Sequence, residues 1–145
     1  MARYVMSLFT PRAPADAFAY MADLRRFAEW DPGVTRAVQV HGDGPGPDAA
    51  YDLTVKAGVS TVMRYEVTSF DAPRRLVVTA RTSTLTSVDE IRVEPRGTGS
   101  VVTYDAVLTL NGRLKLFDRL LAIAFRRIGD RAAVGLRRVL DGQPA

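Results

Sequence analysis

The chain has 145 residues, nearly half apolar and a quarter charged, which suffices for one domain with a real core. Cysteine is absent and His41 is the only histidine. Disulfides, thiol catalysis and multi-histidine metal sites are therefore excluded, and no metal or cofactor is expected. The net charge of +4 is uneven: residues 113–141 hold eight basic side chains against three aspartates, so the remaining chain sums to −1. Basicity confined to one segment is not a nucleic-acid signature. No run approaches the roughly 18 apolar residues of a transmembrane helix. Residues 4–9 are too short and wrongly flanked for a secretory signal, so a cytoplasmic location is expected.

Residues 3–9 alternate loosely and read as a first strand. Pro11 and Pro14 break it; Pro14 suits the first helical position and Asp16 the first turn. Phe18, Met21 and Ala22 lie three and four apart, which predicts a short helix over residues 14–22. Asp23 can cap a second short helix, where Leu24, Phe27 and Trp30 share a face, and Pro32-Gly33 ends it. Residues 34–40 are strand-like and lead into Gly42-Asp43-Gly44-Pro45-Gly46-Pro47, a turn-rich loop. No Lys-Ser/Thr follows these glycines and no strand-to-helix setting surrounds them, which argues against a phosphate cradle.

From Tyr51 the period is two. Tyr51, Leu53 and Val55 face one side; Gly58 is expected to turn the chain, and Met63, Tyr65 and Val67 follow on the apolar side. The four-residue loop Asp71-Ala72-Pro73-Arg74 pairs Val67 with Val78 and Tyr65 with Ala80. A turn over residues 95–100 sets Val93 opposite Val102, Ile91 opposite Tyr104 and Asp89 opposite Ala106, all on one face. Leu108 and Leu110 continue it.

Asn111, the expected cap, opens a proline-free helical pattern from Gly112 to about Leu140. At about 1.5 Å per residue it is a rod some 40 Å long. Leu114, Phe117, Leu121, Ala124, Ile128, Ala132, Gly135 and Val139 form its stripe toward the sheet. Gly129 and Gly135 each cost about 1 kcal/mol against alanine, which close approach or a slight bend would explain. The order strand, two short helices, six strands, long helix defines an α+β helix-grip fold: a curved seven-stranded antiparallel sheet wrapped around the terminal helix, with a cavity between them.

Several segments resemble one superfamily: Ala13-Pro14-Ala15-Asp16-Ala17-Phe18, Phe27-Ala28-Glu29-Trp30-Asp31-Pro32, residues 65–76 and residues 127–136. Across essentially the whole chain they are similar to the START-like (SRPBCC, Bet v 1-type) proteins, in the bacterial polyketide cyclase/dehydrase-like branch. The resemblance implies a helix-grip container, with lipid carriers, cyclases and hydrolases among its relatives.

Tyr51, Tyr65, Tyr104 and Asp89 are the polar tips on the inward face, with Trp30 nearby. An apolar cavity with sparse polar groups is the usual anatomy of a small-molecule site. Trp30, Tyr51, Met63, Tyr65, Asp89, Tyr104, Phe117 and Leu121 are therefore the candidate ligand-binding residues. Each tyrosine has an alternative role as core filler. Asp89 is the candidate catalytic residue, because loss of solvation raises a carboxyl pKa and suits it to acid–base work. It would take a proton alpha to a carbonyl while Tyr65 or Tyr104 donates to the enolate oxygen. An arginine partner or a solvated strand end would abolish that role.

On the long helix Leu116, Leu120 and Ile123 fall opposite the main stripe, amid arginines. They admit burial under a loop, a homodimer contact, or a peripheral membrane contact with snorkelling arginines. Three functions remain open: a binder of a small hydrophobic, lipid- or polyketide-like molecule; a polyketide cyclase, aromatase or dehydratase; and an interaction module built on the basic helix.

Overall fold

The structure is a computed structural model that describes every residue except Gly58, and Ala57 by its backbone alone; the turn expected at Gly58 lies outside the described residues. The chain runs β1 (Ala2–Thr10), α1 (Pro14–Ala22), a 3₁₀ turn (Leu24–Arg26), α2 (Phe27–Trp30), β2 (Val34–His41) and β3 (Ala50–Ala57). There follow β4 (Val59–Asp71), β5 (Arg75–Arg81), β6 (Leu85–Arg96), β7 (Gly99–Leu110), a 3₁₀ segment (Gly112–Phe117), α3 (Asp118–Val139) and β8 (Gln143–Pro144). The strands form one antiparallel sheet in the order β2-β3-β4-β5-β6-β7-β1-β8. Register irregularities at Val34/Arg36, Gln39/His41 and Val67/Ser69 bend it.

The sheet has eight described strands rather than seven. The extra one is a two-residue tail in which Pro144 pairs with Leu8 and Gln143 with Phe9. Two residues carry no alternation, so no periodic signal marks it. The inner pairings are those the turns dictate: Tyr65 with Ala80, Val67 with Val78, Val93 with Val102 and Asp89 with Ala106.

On the outer face arginines meet acids across strands: Arg3 with Asp105, Arg64 with Asp52 and Arg75 with Glu90. Glu90 is thus neutralised outside while its neighbour Asp89 points inward. On the inner face Leu53, Leu76, Ile91 and Val93 pack with Met21 and Leu24 from the short helices and Leu136 from α3. Each buried side chain of this kind contributes about 1.5–3 kcal/mol by leaving water.

Pro14 stands at the start of α1, and the Asp23 carboxylate accepts the Arg25 backbone N–H at 3.1 Å, capping the 3₁₀ turn. Two glycines let α3 approach the rest of the fold. A Cβ on Gly135 would stand 1.9 Å from the Trp30 carbonyl oxygen, and one on Gly129 2.4 Å from the Tyr4 ring. Close approach, rather than a bend, is what these positions require.

The terminal helix is not one continuous α-helix from residue 112. Gly112 takes a left-handed φ of 57°, and residues 112–117 wind as 3₁₀ before α3 begins. Asn111 makes no side-chain cap; its Nδ2 donates instead to the Thr82 carbonyl at 3.1 Å, tying the β7 end to the loop after β5.

Candidate functional site

α3 buries its inner face only in its second half, through Ala132, Ala133 and Leu136. Over its first half Leu121, Phe125 and Ile128 stay half-buried because open space lies beneath them. That space is a cavity of about 450 Å³ between α3 and the inner faces of β3, β4, β6 and β7. The volume suits a small organic molecule. Its walls are mainly apolar, with Met63, Leu53, Val55 and Leu108 contributed by the strands.

One cluster of polar groups surrounds a carboxylate. Asp89 is 5% exposed and lies on β6 facing inward. Ser87, two residues earlier and so on the same face, donates its hydroxyl to Asp89 Oδ1 at 3.0 Å. Tyr65 on β4 donates to Ser87 Oγ at 3.0 Å, and Tyr104 on β7 donates to Asp89 Oδ2. Every hydroxyl proton in the chain of bonds thus runs toward the carboxylate. Loss of solvation pushes the Asp89 pKa up to about 6, against the pull of the Tyr104 and Ser87 hydrogen bonds. Burial likewise raises Tyr65 and Tyr104, and the Asp89 charge adds to both.

A second carboxylate shares the cavity. Asp31, at the end of α2, accepts the Gly33 N–H at 2.9 Å, and burial raises its pKa. Trp30 beside it is buried, and its indole N–H has no partner among the described residues. Phe27, Trp30 and Tyr104 form one aromatic cluster, with ring centroids 4.7 to 6.1 Å apart.

Of the expected ligand-binding residues, Trp30, Met63, Tyr65, Asp89, Tyr104 and Leu121 line the cavity. Tyr51 and Phe117 do not. Tyr51 is fully buried on β3 under the 3₁₀ turn, where burial and the nearby Asp23 charge push its pKa up to about 12. Phe117 is 53% exposed. It belongs to the 3₁₀ segment, whose three residues per turn carry it and Leu114 out of the phase that a 100° wheel assigns. Among the described residues Asp89 has no arginine partner, and its position is not solvated. Tyr65 and Tyr104, the expected donors to an enolate, donate here to Ser87 and Asp89.

Ser87 and Asp31 escaped the sequence reading. Ser87 had a signal, the period of two that links it to Asp89. Asp31 had only a turn sequence, Asp-Pro-Gly, which fixes no facing. His41 is exposed, with Nδ1 2.7 Å from the Asp48 carbonyl, far from any role in this network.

Leu116, Leu120 and Ile123 are 87%, 66% and 59% exposed, so burial under a loop is overturned. No described helix is long and apolar enough to cross a membrane.

The architecture and its interior define a helix-grip domain closed around an apolar, acid-bearing cavity. Residues 1–141 match the family described as polyketide cyclase/dehydrase and lipid transport, and the chain belongs to that family. Its fold is similar to that of TTHA0849 from Thermus thermophilus, at 15% identity, 94% coverage of both chains and a TM-score of 0.77. It is also similar to a START superfamily protein from Mycobacterium smegmatis, at 11% identity, with 97% of this chain and 98% of that one covered and a TM-score of 0.78. The di-domain ARO/CYC StfQ from the steffimycin biosynthetic pathway aligns at 16% identity and a TM-score of 0.64, over 95% of this chain and 51% of that one. No curated protein matches the chain in sequence.

Proposed function

We propose that this protein binds a small hydrophobic molecule, lipid- or polyketide-like, in the cavity beneath the first half of α3. The observation that carries this reading is the space itself: α3 leaves Leu121, Phe125 and Ile128 only half-buried above about 450 Å³ of open cavity. Burial of a guest there contributes roughly 25 cal/mol per Å² before ordering costs. Titration with an apolar fluorophore tests the reading. Saturable binding that is lost on filling the cavity with Ala106→Phe supports it, and binding indifferent to that change refutes it.

One observation favours a second reading, an enzyme of the cyclase or dehydratase type. Asp89 is a buried base with no cationic partner among the described residues, and its pKa of about 6 lies close to the range where general bases work best. Ionised Asp89 would take a proton alpha to a ketone; the C–H bond breaks, its electron pair moves onto the carbonyl oxygen as an enolate, and the proton ends on the carboxyl. Asp89→Asn should then abolish turnover of a poly-β-ketone mimic while binding persists. Turnover unchanged by the substitution removes the enzyme reading.

The exposed strip on the terminal helix reads best as a contact with an anionic lipid surface. Leu116, Leu120 and Ile123 share the segment with Arg113, Lys115, Arg119, Arg126 and Arg127. Lipid phosphates complement that charge, whereas two copies meeting through this strip would bring like charges together.

A further inference from the structure

Two carboxylates, Asp31 and Asp89, line the cavity, and neither has an ion-pair partner among the described residues. The only basic side chain on the described wall is Lys56, exposed near the end of β3. On the outer face Asp52, Glu90 and Asp105 are each paired with an arginine, and Glu90 is the immediate neighbour of Asp89. The interior therefore concentrates negative charge where solvent screening is weakest.

Hydrogen bonding points the same way. Tyr65, Ser87 and Tyr104 all spend their protons within the network, so what the Asp89 carboxylate still offers a guest is acceptor capacity. The Asp31 carboxylate adds more, since its one partner among the described residues is the Gly33 N–H. Beside these acids stand the mutually inclined rings of Phe27, Trp30 and Tyr104, and an ammonium group is attracted by such rings.

We infer that the cavity selects an apolar molecule bearing a protonated amine, which the Asp31 and Asp89 carboxylates and the adjoining aromatic cluster hold by charge and donated hydrogen bonds. An anionic lipid such as a free fatty acid is the ligand this interior disfavours. The inference rests on the hydrophobic-ligand reading and adds the charge class of the guest. It also orients the guest, with its cation at the Asp89 end and its apolar body under Leu121 and Phe125.

The test compares decylamine, decan-1-ol and decanoate, one chain length with three charges, by quenching of the sole tryptophan, Trp30, near neutral pH and below micelle formation. The component abolished by Ala106→Phe is taken as cavity binding. Decylamine should bind about tenfold more tightly than decan-1-ol, with decanoate weakest. Asp89→Asn and Asp31→Asn should each lower the amine affinity toward that of the alcohol. Decan-1-ol binding that stays within about twofold shows that each variant still folds and keeps its cavity. Equal binding of all three, or tighter binding of decanoate, overturns the inference and leaves the cavity reading standing. Absence of binding by all three overturns the cavity reading itself.

Discussion

The Tyr104 hydroxyl on β7 donates to the Asp89 carboxylate on β6, one diagonal step across the paired strands, while no cation among the described residues balances the charge. The pair joins ring, carboxylate and cavity wall in one unit, and its protonation leaves a signature in stability. Burial raises the Asp89 pKa from 3.8 to about 6, so the folded state holds this proton more tightly than the unfolded chain. The group's contribution is therefore fully present below about pH 4 and lost as pH rises through about 6, a change of roughly 3 kcal/mol. Asp89→Asn removes that dependence. The melting temperature of the variant relative to wild type should rise steadily between pH 4 and pH 6 and then level off. A constant difference across this window would show that Asp89 is not buried as a lone carboxyl.

Gly135 predicts a different loss. A methyl group there meets the Trp30 backbone carbonyl at 1.9 Å, and backbone cannot swing aside. Gly135→Ala should lower unfolding free energy by about 3 kcal/mol, despite the roughly 1 kcal/mol gained in helix propensity. Gly129→Ala should cost less, because the methyl meets the Tyr4 side chain rather than backbone, and that side chain can shift at the expense of its hydrogen bond to Asp130. Urea midpoints of the two variants check the order.

Ala106, opposite Asp89 on β7, is a small inward side chain on the cavity wall. Ala106→Phe should fill part of the cavity, abolish binding of an apolar dye and leave the melting temperature unchanged or higher. A large loss of stability would mean that the space is too small for the added ring.

Leu116→Glu with Leu120→Glu should abolish cosedimentation with vesicles rich in anionic lipid and leave dye binding in the cavity intact. Retained cosedimentation, or concentration-dependent dimerisation that the double change removes, would move the strip from lipid to another partner.

Much of this site was legible in the chain because two tight turns pin the register. The loop at residues 71–74 and the turn before Gly99 leave one pairing that keeps Val78, Ile91 and Val93 inside, and that pairing carries Asp89 in with them. A slip by one residue would have exchanged Asp89 for Glu90. The helix start was not legible, since a left-handed Gly112 and a 3₁₀ winding shift the phase of Leu114 and Phe117 without changing composition. Tyr51 misled for another reason. It alternates correctly with Leu53, yet the Leu24–Arg26 turn covers its end of the sheet, and alternation says nothing about which helix lies above. Asp31 depends on a loop conformation that no periodicity encodes.

The sole indole N–H, that of Trp30, gives one resonance in a proton–nitrogen correlation spectrum, and its buried, unpartnered state makes that resonance a reporter on the cavity. Titration with decan-1-ol should move it saturably, together with the amides of Met63, Ser87 and Leu121, and Ala106→Phe should abolish the shift. If the indole resonance stays fixed while only residues of the outer strip respond, the cavity beneath α3 is not where this protein takes its guest.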